Sequence, residues 1–194
     1  MKPQETDLTT FPTNPVDIFE LFFDSDVIDH IVNETQRYAS SKGNDNFQTN
    51  PSEIKTFLAI LLVSGYHPVP RRRMYWCSEN DVHNDLIASA MSRNRFEELM
   101  IFIHFADNDS LDLEDKMGKV RPLFNMLNEK FLLYFQVIKS QDLSIDEPMV
   151  PYFCRHGAKQ FIRGKPIRFG FKLWCLATPL GYLVQMEPYQ GAKG

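Results

Sequence analysis

The spacing of apolar residues predicts α-helices over most of the first 140 positions. Asn14 followed by Pro15 is a typical helix start, in which a capping side chain precedes a proline at the first helical position. Asn50 followed by Pro51 repeats this start. Residues 54–63 are apolar almost all round, so we expect the helix that contains them to be central and buried.

Three more helices follow from the same periodicity. The first is expected over residues 24–41, with its cap at the first or second of these positions. Ser92 caps a helix over about residues 93–105, and a last helix is expected between residues 120 and 135, where apolar residues recur at spacings of three and four. The acidic loop 107–115 separates these last two helices.

Strand patterns replace helical ones after about Gln141. Residues 143–146 form a short strand, and residues 169–177 are rich in aromatic and aliphatic side chains over a strand length. A turn at 178–181 leads into a third strand over 182–186. The chain therefore changes from helices to the first strands of a sheet.

These elements predict an α+β fold in three parts. A disordered N-terminus covers residues 1–14, an all-helical domain covers 15–140, and the first three strands of an α/β domain cover 141–194. The N-terminus has no apolar signal-peptide core, and the longest apolar run is far too short to span a bilayer. We expect a soluble protein with no membrane partner.

Composition excludes several classes of protein. With 43% hydrophobic and 24% charged residues, the 194-residue chain is an ordinary globular one. Its three cysteines are too few and too scattered for a disulfide framework, and their odd number favours a reducing compartment. The five histidines lack zinc-ligand spacing, and no Ser–His–Asp arrangement or phosphate-binding glycine loop is present.

Charge is distributed unevenly along the chain. The net charge is −4, but from Pro151 onward seven lysines and arginines face one acidic residue. The two halves therefore carry about +6 and −10. This asymmetry indicates that one surface meets a polyanion while the rest of the chain keeps the protein soluble.

Asp146 is the most informative acidic residue. It lies in an otherwise apolar predicted strand, where a buried carboxylate needs a cationic side chain, backbone donors or a divalent metal ion. From the residues alone, a structural ion pair is the favoured interpretation and a metal site is the alternative.

Two basic clusters are candidate phosphate contacts. Aromatic residues alternate with the cations of the first cluster, which are Arg155, Lys159, Arg163, Lys165, Arg168 and Lys172. The second is the triplet Arg71, Arg72 and Arg73. Each cluster could bind a nucleic-acid backbone or form a solvated surface. Arg93 and Arg95, beside a helix start, could likewise bind phosphate or pair with a nearby glutamate.

Several ordered segments resemble piggyBac-type transposases and their domesticated relatives. Residues 146–155 (Asp-Glu-Pro-Met-Val-Pro-Tyr-Phe-Cys-Arg) are similar to the segment around the family's first catalytic aspartate, and residues 165–172 (Lys-Pro-Ile-Arg-Phe-Gly-Phe-Lys) to the segment that follows. Residues 187–191 (Glu-Pro-Tyr-Gln-Gly) resemble a motif after the third strand. Residues 91–96 (Met-Ser-Arg-Asn-Arg-Phe) resemble part of the family's helical DNA-binding and dimerisation region. The resemblance extends over about residues 19–194.

The resemblance implies a catalytic chemistry. In this family, an RNase H-like domain holds three aspartates that bind two divalent metal ions, usually Mg²⁺. Asp146 matches the first aspartate, so it is the implied catalytic and metal-binding residue. Glu147 is expected on the opposite strand face and is not assigned as a ligand. The other two aspartates would lie beyond Gly194 in this alignment, so we expect these residues not to bind Mg²⁺ tightly.

The resemblance also implies partners. It favours DNA-backbone contact for the six cations of the first cluster and leaves the arginine triplet undecided. We expect a nuclear chain that binds DNA, either transposon-end-like or non-specific, or that forms a homodimer or pairs with a full-length relative. The alternative is a domesticated protein-interaction module with vestigial DNA contact. No small-molecule substrate is expected.

We predict that this chain alone does not cleave DNA, because a single aspartate supplies too few oxygen ligands for two metal ions. A nuclease assay with Mg²⁺ or Mn²⁺ on transposon-end DNA measures this directly. Robust cleavage that Asp146→Ala abolishes would contradict the prediction.

Overall fold

The computed structural model describes residues 12–79, 81–138 and 142–191, and in these ranges it confirms the α+β fold class. Most of the predicted disordered N-terminus and Gln141 lie outside the described residues. The helices are α1 Pro15–Phe22, α2 Ser25–Ser41, α3 Pro51–Tyr66, α4 Asp85–Ala90, α5 Arg93–Phe102 and α6 Arg121–Ile138. The strands are β1 Ser144–Asp146, β2 Met149–Pro151, β3 Gln160–Phe161, β4 Phe169–Ala177 and β5 Leu183–Pro188.

The caps predicted at Asn14, Asn50 and Ser92 are confirmed. The side-chain oxygen of Asn14 accepts from the Val16 amide at 3.0 Å, and that of Asn50 accepts from the Glu53 amide at 3.0 Å. The Ser92 hydroxyl caps α5 in the same way. Each cap satisfies an N–H group that has no partner inside the helix. Helix α5 ends at Phe102, three residues earlier than predicted.

One compact unit comprises Ser25–Asp107. Its core is formed by apolar faces of α2, α3 and α5, with Ile28, Phe57 and Leu99 almost completely buried. The rings of Phe57 and Phe96 lie 5.2 Å apart between their centroids. Burial of several large side chains, each contributing about 1.5–3 kcal/mol, is what holds these helices together.

The prediction that α3 is central and buried is confirmed on one face only. Ile54, Phe57 and Ile60 are buried, but Leu62 is 58% exposed and Tyr66 is 91% exposed. Apolar residues on every face of a helix indicate that it can be enclosed. The unit Ser25–Asp107 encloses only one face.

The second compact unit comprises the described parts of Met1–Asp24 and Asn108–Gly194. Phe22 of α1 packs against Phe131 and Tyr134 of α6, with centroid distances of 5.4 and 5.5 Å, and Tyr182 lies 6.4 Å from it. This aromatic cluster places α1 and α6 with the sheet. The compact units are thus divided differently from the predicted domains 15–140 and 141–194, which stay a prediction about functional domains.

Strand β4 is the centre of the sheet, and all its pairings are antiparallel. β1 and β2 share one edge and one register, with an interruption at Pro148, which has no backbone N–H to donate. β3 and β5 pair with the other edge. The predicted strand 169–177 is confirmed as β4, whereas β2 and β3, only three and two residues long, were not predicted.

Helix α6 protects the outer edge of β5. The Asn128 side chain donates to the Met186 carbonyl at 2.8 Å and accepts from the Met186 amide at 2.9 Å. These are the backbone groups that another strand would otherwise pair with. The Tyr182 hydroxyl donates to the Phe131 carbonyl at 2.7 Å and fixes the start of β5 to the same helix.

Gly170 is needed where β4 is paired on both sides. It pairs with Pro151 of β2 and with Gln160 of β3. A Cβ atom at this position would lie 1.9 Å from the Val150 carbonyl oxygen, which is well inside van der Waals contact. A side chain here would therefore push β2 away from β4.

We predict that Gly170→Ala lowers the free energy of unfolding of this unit by about 2 kcal/mol, because the clash is with backbone that cannot move aside. Urea unfolding followed by tryptophan fluorescence, to which Trp174 of β4 contributes, measures the change. Gly65→Ala is the matched control: it lies in α3 with open space around it, so it should stabilise the protein by up to about 1 kcal/mol. Equal stability of the two variants would contradict the prediction.

Candidate nucleic-acid interface

A hairpin between β3 and β4 carries most of the predicted cations. We define the basic hairpin as residues 159–172. Its loop is closed by the Ile162 amide, which donates to the Arg168 carbonyl at 3.0 Å. Gly164 has a φ of +93°, a conformation that favours glycine at the turn.

The arginines of the first basic cluster are exposed. Arg155, Arg163 and Arg168 are exposed to solvent, and no ion pair within the described part of the chain engages their guanidinium groups. A guanidinium group presents several N–H donors in a planar fork that suits phosphate oxygens. These three residues are therefore available to an anionic partner.

The lysines of the same cluster are engaged within the protein. The Lys159 ammonium donates to the carbonyls of Phe153 and Cys154 at 3.3 Å each. The Lys172 ammonium lies 3.9 Å from the ring centroid of Trp174 and 3.6 Å from Glu147. The six cations predicted as one set thus divide into free arginines and lysines with internal partners.

Asp146 ends β1 at the surface of the sheet. Its side chain is 80% exposed, so the expectation of a carboxylate buried in an apolar strand is wrong for the described residues. The reason is that β1 is exposed along its whole length, including Ile145 at 68%. The Lys165 ammonium lies 4.0 Å from the Asp146 carboxylate.

The expected location of Glu147, on the strand face opposite Asp146, stays a prediction. β1 ends at Asp146, so strand alternation does not extend to the next residue. The Glu147 carboxylate lies 3.9 Å from Lys165 and 3.6 Å from Lys172. Both carboxylates therefore meet the same lysine.

The described residues supply only part of the two-metal site that the resemblance implies. The Asp146 and Glu147 carboxylates are compensated by two ammonium groups, those of Lys165 and Lys172. Within residues 12–79, 81–138 and 142–191, no group of three or more histidine, cysteine, aspartate or glutamate side chains could hold a metal ion. Two divalent ions need more oxygen ligands than this arrangement supplies.

Cys175 is a neighbour of Asp146 that sequence reasoning missed. It is the direct cross-strand partner of Asp146 in the pairing of β1 with β4. Burial raises the pKa of the Cys175 thiol, and the nearby Asp146 charge raises that pKa further. The thiol therefore stays protonated at neutral pH and is a weak nucleophile.

The arginine triplet lies in the unit Ser25–Asp107 and is partly engaged there. Arg72 donates to Glu97 through two nitrogens at 2.9 and 3.3 Å, and Arg73 donates to the same carboxylate at 3.2 Å. The Arg72 hydrogen bonds lower the pKa of Glu97 to about 2. Arg71 is exposed. DNA contact by this triplet stays a prediction.

The motif at residues 91–96 holds two helices together. Arg95 of α5 donates to both carboxylate oxygens of Glu53 at 2.6 Å each, and to Glu98 at 2.6 Å. It also donates to the Gln48 carbonyl. These bonds lower the pKa of Glu53, with the Arg95 hydrogen bond as the main cause. The alternative of a glutamate pair is thus the one that the structure shows for Arg95.

The motif at residues 187–191 fixes the acidic loop to the end of β5. Arg121 donates to Asp115 at 2.7 Å and to Glu187 at 2.7 Å. The Gln190 amide donates to the same Asp115 carboxylate at 2.8 Å. In the described residues, this motif has a structural role.

A family profile described as Transposase IS4 matches residues 14–194. The chain belongs to the piggyBac-type transposase family. It is 52% identical over 185 residues to the human (Homo sapiens) PiggyBac transposable element-derived protein 3, covering 95% of this chain and 31% of that protein. It is 46% identical over 189 residues to human PiggyBac transposable element-derived protein 2, covering 97% of this chain and 31% of that protein.

A solved structure supports the fold of this piggyBac-type chain. The chain is similar to the piggyBac transposase in a synaptic complex with hairpin DNA, with a TM-score of 0.77 and 23% identity. The match covers 96% of this chain and 40% of that one. The chain spans about a third of the length of the curated relatives it matches. No helix in the described residues is long and apolar enough to cross a membrane.

We predict that Arg95→Met lowers the free energy of unfolding of the unit Ser25–Asp107 by about 2 kcal/mol at pH 7, because it leaves the partly buried Glu53 without its cation. The folded-state pKa of Glu53 is lowered, so its contribution is present above its ordinary pKa and is lost as pH falls through the lowered value. The difference from the unsubstituted protein should therefore shrink below about pH 4.

Urea unfolding at pH 7 and at pH 3 measures both effects. Arg93→Met is the matched control, since Arg93 lies in the same helix and is exposed. A difference for Arg95→Met that is independent of pH would show that Glu53 is not the group that matters.

Proposed function

We propose that this chain is a DNA-binding part of a piggyBac transposable element-derived protein, and that it holds the DNA backbone through Arg155, Arg163 and Arg168. The observation that carries this proposal is the exposure of these three guanidinium groups, which have no ion-pair partner in the described residues. The similar solved transposase, which is in a complex with hairpin DNA, supports DNA as the partner.

The electrostatics favour phosphate contact over base readout. Backbone contacts need a cation near each phosphate and no sequence-specific geometry. Arg163 and Arg168 are exposed in the loop between β3 and β4. Such contacts position a protein on DNA without reading its sequence. A nuclear location follows from a chromosomal DNA partner.

Strand cleavage is proposed to need carboxylates from outside these residues. The sheet would be the opening part of an RNase H-like domain, with Asp146 as the first of three metal-binding aspartates. The two lysines beside Asp146 and Glu147 compensate a charge that metal ions would otherwise balance. The proposed role of this chain is therefore DNA binding.

A second candidate function is association with a protein partner or with a second copy of the chain. The exposed face of α3 favours it, since Leu61, Leu62 and Tyr66 are 39%, 58% and 91% exposed. Apolar surface of this kind is common at protein interfaces. This interaction module would not require the arginines of the hairpin.

We predict that the 194-residue chain binds duplex DNA with an affinity that falls as salt rises, and that Arg163→Gln with Arg168→Gln weakens binding. Each lost phosphate contact should reduce the slope of log Kd against log salt concentration by about 0.9. Fluorescence anisotropy with a labelled duplex, at salt concentrations from about 50 to about 200 mM, measures the slope.

Arg37→Gln is the matched control. It also removes a positive charge, but Arg37 already pairs with Glu34 and Asp107 and is not expected to contact DNA. It should leave the slope unchanged. If the double variant binds as well as the unsubstituted chain, the hairpin is not the DNA surface. If neither the double variant nor the unsubstituted chain binds DNA, while the unsubstituted chain still self-associates, the second candidate function is favoured.

A further inference from the structure

Two phenylalanines of the basic hairpin expose their rings to solvent. Phe161 of β3 and Phe169 of β4 are direct cross-strand partners. Their ring centroids lie 4.7 Å apart at an interplanar angle of 34°, and the residues are 58% and 51% exposed. Half-exposed aromatic rings leave apolar surface in water, which is unfavourable unless something else covers it.

One cation contacts this aromatic pair, and two more lie close to it in the sequence. The Lys159 ammonium lies 5.3 Å from the ring centroid of Phe169. Arg168 directly precedes Phe169, and Arg163 lies two residues after Phe161; both are exposed. An apolar protein surface that covered the rings would have to desolvate the Lys159 ammonium, which is costly. A ligand with aromatic faces and negative charge suits both features.

Unpaired bases of a nucleic acid are such a ligand. In a duplex the base faces are stacked on one another and are not available to a protein ring. In a single-stranded or unpaired segment, each base offers a face for stacking on an aromatic side chain, and each base is joined to a phosphate. Alternating aromatic and cationic side chains on a strand and its loop are typical of surfaces that bind single strands.

We propose that Phe161 and Phe169 form a stacking platform for unpaired DNA bases, with the adjoining phosphates held by Arg163 and Arg168. This inference rests on the proposed DNA binding and adds a class of substrate to it. The same hairpin carries Lys165, whose ammonium lies 4.0 Å from the Asp146 carboxylate. The hairpin that carries the platform therefore also contacts the residue that matches the family's first catalytic aspartate.

The test compares single-stranded DNA with a duplex of the same sequence. Phe161→Leu and Phe169→Leu keep an apolar side chain on each strand but remove the ring. Each should weaken binding of the single strand roughly tenfold and change duplex binding less than about twofold. In the single strand, 2-aminopurine fluorescence should be quenched by the unsubstituted chain and less quenched by either variant. Phe161→Trp should retain both affinity and quenching.

Two controls separate this proposal from the broader one. Tyr66→Leu removes a more exposed ring, which lies in α3, and should change neither measurement. If the leucine variants keep full single-strand affinity and quenching while Arg163→Gln weakens binding, the platform is refuted and DNA binding by the hairpin stands. If the unsubstituted chain binds neither form of DNA, the proposed function and the platform both fail. Circular dichroism confirms that each variant is folded.

Discussion

The antiparallel pairing of β4 along both of its edges is the constraint on which the candidate site depends. On one edge, the pairing sets Asp146 opposite Cys175, and on the other it sets Phe161 opposite Phe169. Directly opposed side chains share a face of the sheet, so a shift of one residue in β4 would move Cys175 and Phe169 to the other face. Gly170 lets β2 approach closely enough for this register to form.

Segments that resemble functional motifs of the family also have structural roles. Arg95, in the segment that resembles the DNA-binding and dimerisation region, binds Glu53 and so ties the start of α3 to α5. Gln190, in the segment after β5, binds Asp115 of the acidic loop. A resemblance between sequences therefore cannot by itself separate residues that bind DNA from residues that hold the fold. An arginine with internal ion pairs, such as Arg95, holds the fold, whereas an exposed arginine without one is available to an anionic partner.

Local features of the fold could be predicted from the sequence, and tertiary features could not. The caps at Asn14 and Asn50 were predicted because a cap depends on a few adjacent residues. The burial of α3 was predicted correctly for one face only and that of Asp146 wrongly, because burial depends on which elements pack against a residue. The aromatic pairing of β3 with β4 gave no signal, since β3 is two residues long.

The charge asymmetry of the sequence overstates the basic surface. Counting from Pro151 leaves out the two acidic residues just before it, Asp146 and Glu147, which lie within 4.0 Å of lysine ammonium groups from the basic half. Those lysines are already balanced, and an ammonium group near a carboxylate attracts a phosphate less strongly than a free one does. The exposed arginines remain available to an anionic partner. Three guanidinium groups and the Lys159 ammonium, rather than all six cations, remain without a carboxylate partner in the described residues.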